Sequence, residues 1–144
     1  MLCLDEKPAI QVLERLVPRQ PMAAGRIERQ EFEDKRHGTV NLLVSLRLAD
    51  GTMWSECPEK NDSDHFQAAV GRLINNFPKA RRITLIMDNG SSHTSRSTLG
   101  WLANQWPRVQ VLFTPARASW LNQAELLLRS FSHRFLRLYT GLCG

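Results

Sequence analysis

A chain of 144 residues suits a single domain, and its 42% hydrophobic and 23% charged residues describe a globular protein. No apolar run approaches the roughly 20 residues that cross a bilayer, and charge arriving at Asp5 argues against a secretory leader. The scattered Cys3, Cys57 and Cys143 argue against a disulfide framework or a zinc site, so a reducing cytoplasm is the expected location.

In chain order, "MLCLD" is a short apolar run ending in an acid, readable as a buried strand. Residues 8–37 mix charges with Pro8, Pro18, Pro21 and Gly25, which predicts loop with one or two helical turns over 9–16. "TVNLLVSLRL" (39–48) and "TMWSEC" (52–57) flank Asp50-Gly51, a hairpin signal. Phe66, Ala69, Val70, Leu73, Ile74 and Phe77 form one helical face, started by Asp62 or Ser63 and stopped by Pro78. "RITLIMD" (82–88) is a second buried strand ending in an acid. Leu99, Leu102, Ala103 and Trp106 predict a shorter helix, "VQVLF" (109–113) a strand, and 119–138 a final helix. On that last helix Trp120, Ala124, Leu127, Phe131 and Phe135 make an apolar stripe beside a polar face of Asn122, Glu125 and Arg129. The order predicts an α/β fold: a mixed sheet with an antiparallel hairpin and flanking helices, as in ribonuclease-H-like domains and some other α/β folds.

Charge is uneven along the chain. Residues 1–64 hold 9 Lys/Arg against 12 Asp/Glu, a balance of −3, while residues 65–144 hold 10 against 2, a balance of +8. Such a basic half suits a polyanion, or simply a solvated surface. Its only acids are Asp88 and Glu125. Strands ending in Asp5 and Asp88, if parallel neighbours, set the two side by side at the carboxyl edge of the sheet, where open α/β sheets bind ligands. The last helix can carry Glu125 over the same edge. Three converging carboxylates repel one another unless divalent cations relieve them, and Mg²⁺ or Mn²⁺ prefers such oxygens. Two such ions would supply phosphodiester chemistry. The bland readings are turn residues for the aspartates and a capping-box pair for Asn122 and Glu125. Glu6 and Asp34 are rivals of Asp5.

"LDEKP" with "IQVLER", "KRHGTVNLLVSL", "LIMDNGSSH" and "FTPARASWLNQAE" resemble the bacterial insertion-sequence branch of the mariner-type DDE transposases, over about residues 2–130. The resemblance implies a ribonuclease-H-like catalytic core that cleaves and transfers DNA strands with two Mg²⁺ (or Mn²⁺) ions. Asp5, Asp88 and Glu125 match its three acids, with 125 − 88 − 1 = 36 residues between the last two. Asn89 and His93 would position DNA or a metal-bound water, against a bland reading as a helix cap and a solvent-facing side chain. Asn122 and Arg129 flank the third acid, Trp120 reads as core, and His37 as structural or DNA-adjacent; His65 and His133 receive no role. Expected partners are double-stranded DNA, as transposon ends and target, and a second copy of the chain, with no membrane. Helix-turn-helix segments of relatives lie upstream of the first strand, so the expectation for 1–144 is a catalytic domain shortened at both ends. The rival readings are a stand-alone ribonuclease-H-like nuclease and a non-catalytic DNA-binding remnant.

Overall fold

A computed structural model describes residues 1–15, 34–115 and 121–136. Five strands form one mixed sheet in the order β3-β2-β1-β4-β5. They are β1 (Leu2–Arg15), β2 (Asp34–Arg47), β3 (Met53–Glu56), β4 (Ile83–Met87) and β5 (Val109–Phe113). β1 is central, antiparallel to β2 and parallel to β4, and β4 is parallel to β5. Helices α1 (Ser63–Asn75), α2 (Ser91–Thr94), α3 (Arg96–Asn104) and α4 (Gln123–Phe131) complete the fold, with a π-helical turn over Ser132–Leu136.

Alternation along the strands sorts side chains onto two faces. Leu2 and Leu4 of β1, Leu43 of β2, and Ile83, Leu85 and Met87 of β4 pack against Phe66, Ala69, Val70, Leu73 and Ile74 of α1. Cys3 and Val44 point the other way, on the side where Ala124 and Leu128 of α4 are buried against β1 and β2. Asp62 caps α1 by accepting the His65 N–H at 2.9 Å, and the His65 ring returns to the same carboxylate at 2.7 Å, a partner the sequence did not suggest. The β2–β3 hairpin turns at Asp50-Gly51 as expected, with Gly51 at φ 74°, a left-handed conformation that glycine adopts without strain.

Three expectations need correcting. Residues 9–15 are strand rather than helical turns, because β1 pairs with β2 as far as Arg15↔Asp34. Pro8, which cannot donate to a ladder, falls inside a register shift, and Ala9 N–H is satisfied by Asn41 Oδ1 at 3.0 Å. On α3 the inward face is Thr98, Trp101 and Leu102, whereas Leu99 and Trp106 are exposed. Thr98 is drawn in by its hydroxyl, which donates to the Ser92 carbonyl at 2.7 Å. Of the helix predicted over 119–138, α4 and the π-helical turn occupy 123–136, while 119–120 and 137–138 lie outside the described residues. Among the described members of its stripe only Ala124 is buried; Leu127, Phe131 and Phe135 are exposed. The packed pair is Ala124 and Leu128, whose i, i+4 spacing lays a small residue close to the sheet. Trp120 lies outside the described residues, as does Cys143.

Candidate active site

The sheet register brings the first two acids level. Leu2 pairs with Leu85 and Cys3 with Ile86, an offset of 85 − 2 = 83 residues, and 88 − 5 is the same offset. Carried on by two residues, it sets Asp5 of β1 beside Asp88, which follows β4, on strands about 5 Å apart. Beyond Met87 the chain leaves the sheet. Asp88 Oδ1 accepts the Gly90 N–H at 3.1 Å, a local turn that launches α2.

The third acid arrives on α4. Asn122 caps that helix: its Oδ1 accepts the Ala124 N–H at 3.2 Å, and its Nδ2 donates to the Leu4 carbonyl at 2.6 Å. The start of α4 is thereby fastened to the strand residue before Asp5, and Glu125 follows three residues on. The capping reading therefore holds for Asn122, which serves the Ala124 N–H rather than that of Glu125.

Asp5, Asp88 and Glu125 line one open cavity of about 600 Å³, together with Glu6, Lys7 and Arg129. Burial pushes the Asp5 carboxyl up to about 6. The Glu6 N–H, 3.0 Å from Asp5 Oδ1, works against that rise, and the charges of Asp88 and Glu125 add to it. The three acids are near enough to feel one another. Among the described residues no three carboxylate, imidazole or thiol groups stand close enough to ligate one ion as placed. Mg²⁺ does not require such a cage, since one or two carboxylates plus substrate phosphate oxygens commonly hold it. All-oxygen donors whose negative charges repel one another fit that class of ion in chemistry.

The other residues singled out in the sequence separate. Asn122 and Arg129 line the cavity; Asn89 and His93 do not. Asn89 Nδ2 donates to the Thr114 carbonyl at 2.8 Å and ties the ends of β4 and β5 together. His93 is 2% exposed, so the solvent-facing reading does not hold for it. Its ring packs on Phe66 at 4.4 Å between centroids, with Nδ1 2.8 Å from Asp88 Oδ1 and Nε2 3.3 Å from Glu6 Oε1. The Nε2 contact lacks hydrogen-bond alignment, so it counts as a charge contact. Burial opposes charge on the ring, but Glu6 and then Asp88 outweigh it and raise its pKa. His37 pairs with Glu14 at 2.5 Å across the exposed end of the β1–β2 ribbon. Asp34, a rival acid, stands opposite Arg15 in the β1–β2 backbone register, in the same distant stretch. Lys7 and His133 line the cavity without having been singled out. For Lys7 the signal was present: two residues after Asp5 on a strand is the same face.

The family model for the DDE superfamily endonuclease matches residues 1–140. An uncharacterized 39 kDa protein of insertion element IS630 from Shigella sonnei is 33% identical over 92 residues, which are 62% of this chain. The chain spans only 26% of that relative. Among solved structures, the Mos1 transposase paired-end complex with the left transposon end aligns with a TM-score of 0.65 at 21% identity. That alignment covers 92% of this chain and 40% of Mos1. The Mos1 mariner paired-end complex with Mn gives 0.64 at 19%, covering 94% and 41%. The catalytic core domain of BIV integrase gives 0.51 at 16%, covering 74% and 66%. At these identities the structural likeness is one of fold, the ribonuclease-H-like core of integrases and transposases. The matched family model, which spans residues 1–140, makes this chain a member of the DDE superfamily endonuclease family.

Proposed function

We propose that the chain is the catalytic part of an insertion-sequence transposase, cutting and transferring DNA strands with divalent ions held by Asp5, Asp88 and Glu125. The observation that carries this reading is the meeting of three acids from β1, the end of β4 and α4 in one cavity at the carboxyl edge of the sheet. Two ions bound there, Mg²⁺ or Mn²⁺, would activate the attacking oxygen and stabilise the leaving one. The chain's own contribution is placement. Asn122 sets Glu125 relative to Asp5, and the Gly90 N–H orients Asp88. Lys7 and Arg129 on the cavity wall supply charge for the DNA phosphates, which fix the register of the strand being cut. The Mos1 complex carries a transposon end; for this chain, transposon-end and target DNA, and a second copy of the protein, are the partners the reading implies.

The test is strand cleavage and joining in a system where DNA-recognition segments are supplied, in cis or from a relative. Glu125→Gln and Asp88→Asn should each lose at least ~100-fold in cleavage while remaining folded, since removing a charged group that acts only in the transition state costs rate rather than stability. Near-normal cutting by folded Glu125→Gln refutes the assignment. Cutting without joining would favour a stand-alone nuclease.

A further inference from the structure

Glu6 follows Asp5 in β1, so strand alternation turns the two carboxylates to opposite sides of the sheet. Asp5 meets the α4 side, where Glu125 lies. Glu6 reaches α2, 86 residues away in sequence, where its Oε2 accepts from Ser92 Oγ at 3.4 Å and its Oε1 stands 3.3 Å from His93 Nε2. The other ring nitrogen of His93 lies 2.8 Å from Asp88 Oδ1. A nearly buried imidazole is thus held between two carboxylates, one of them the second acid of the site, with Phe66 against its face.

We propose that Glu6 is a positioning residue, which clamps His93 against Asp88 and so fixes where the Asp88 carboxylate stands. The proposal rests on the reading of Asp88 as a catalytic acid. Several features point the same way. Asp88 is held at two points: its Oδ1 accepts the Gly90 N–H and lies 2.8 Å from His93 Nδ1 as a charge contact, and its backbone carbonyl is the hydrogen-bond partner of that same ring nitrogen at 3.2 Å. A Cβ on Gly90 would lie 3.2 Å from both Asp88 Oδ1 and His93 Nδ1, so glycine is what lets the two approach. Behind the ring, Thr98 donates to the Ser92 carbonyl and accepts from Ser95, which in turn accepts from Ser63, so α2 is braced against α1 and α3. The ring has little freedom to turn unless its outer contact, Glu6, is removed. Partners of a ligating group commonly matter 10–100-fold for metal affinity through orientation alone.

The experiment compares wild type, Glu6→Ala, Glu6→Gln and Gly90→Ala as full chains, each checked by thermal melting. Two readouts are taken: NMR of the His93 ring in metal-free protein, and Mn²⁺ binding followed by electron paramagnetic resonance. Glu6→Ala should shift or broaden the His93 ring signals and weaken Mn²⁺ on the order of 10–100-fold, with Glu6→Gln intermediate. Gly90→Ala keeps Glu6 and displaces the His93–Asp88 pair directly; since Gly90 has φ −54°, alanine fits its backbone, and the same two readouts should move. Unchanged ring signals in folded Glu6→Ala overturn the proposal, and if Mn²⁺ affinity nonetheless falls, Glu6 is a ligand rather than a positioning residue. If wild type itself binds no Mn²⁺, the metal reading fails separately, and the ring signals alone still decide whether Glu6 holds the His93–Asp88 pair.

Discussion

Asn122 joins the two halves of the cavity through one side chain, and removing it has a cost that can be worked out. The residue is 1% exposed; its Oδ1 serves the Ala124 N–H and its Nδ2 the Leu4 carbonyl. In Asn122→Ala the cap is lost, at about 1 kcal/mol. The Leu4 carbonyl also loses a buried donor, at about 1–3 kcal/mol. The expected total is roughly 2–4 kcal/mol, and at about 3–4 °C per kcal/mol the melting temperature should fall by roughly 6–16 °C. Two further substitutions separate the parts. Asn122→Ser keeps a cap acceptor but cannot reach Leu4, so it should cost about 1–3 kcal/mol. Asn122→Asp also caps, yet it sets a carboxylate against the Leu4 carbonyl and should be at least as costly as Ala. Urea unfolding with unchanged m-values measures all three. If Asp is neutral, or Ala costs under about 0.5 kcal/mol, the fastening of α4 to β1 does not exist as described.

Other outcomes follow from the same structure. The Asp5 carboxyl has its folded pKa at about 6, above its ordinary value of 3.8, so the native state holds that proton more tightly than the unfolded chain. Its contribution is therefore favourable at low pH and is lost as pH rises through about 4 to 6. Asp5→Asn should accordingly melt higher than wild type at pH 7 without metal, the gain vanishing below pH 4; a gain that is independent of pH would contradict the shift. Arg108, which donates to the Phe77 and Ala80 carbonyls at 2.8 and 3.3 Å, braces the connection from α1 to β4. Arg108→Met should cost about 1–2 kcal/mol in urea unfolding and leave Mn²⁺ binding untouched. DNA affinity should fall steeply with salt: four neutralised phosphates would cost on the order of 100-fold between 50 and 200 mM in a titration. Salt-insensitive binding would show that the +8 balance of residues 65–144 does not meet the backbone.

The parts legible in the sequence were those with one dominant local signal. β4 is an apolar run ending in an acid, and α1 has a full apolar face, a cap at Asp62 and a stop at Pro78, so both were readable to within a residue or two. The outer half of β1 was not, because its strand character comes from pairing with β2 and its residues are exposed, mixed and interrupted by Pro8. The stripe on α4 misled for a different reason. Periodicity identifies an apolar face but not which neighbour covers it, and here a small residue, Ala124, and the polar Asn122 are what the sheet receives. Asp5 and Asp88 could be proposed from strand ends and Glu125 from the polar face of the last helix, and the family resemblance matches all three. The link from Glu6 to His93 could not, since 87 residues separate them and neither has a local pattern that points to the other.

The central position of β1 also bears on the order in which the molecule can assemble. Pairing with β2 closes loops of at most 45 residues (Leu2↔Arg47), while pairing with β4 joins Leu2 to Leu85 and the Asn122 link joins α4 to Leu4. Closing loops of that length loses chain entropy before any contact repays it, and such long-range pairs form slowly. During synthesis the first strand is made early, yet its neighbour β4 and the anchoring Asn122 emerge only much later. The antiparallel half of the sheet is therefore free to form while the cavity is still in two pieces. A chain interrupted before residue 122 therefore contains all five strands and α1–α3 but lacks Asn122 and Glu125, and has no complete set of three acids.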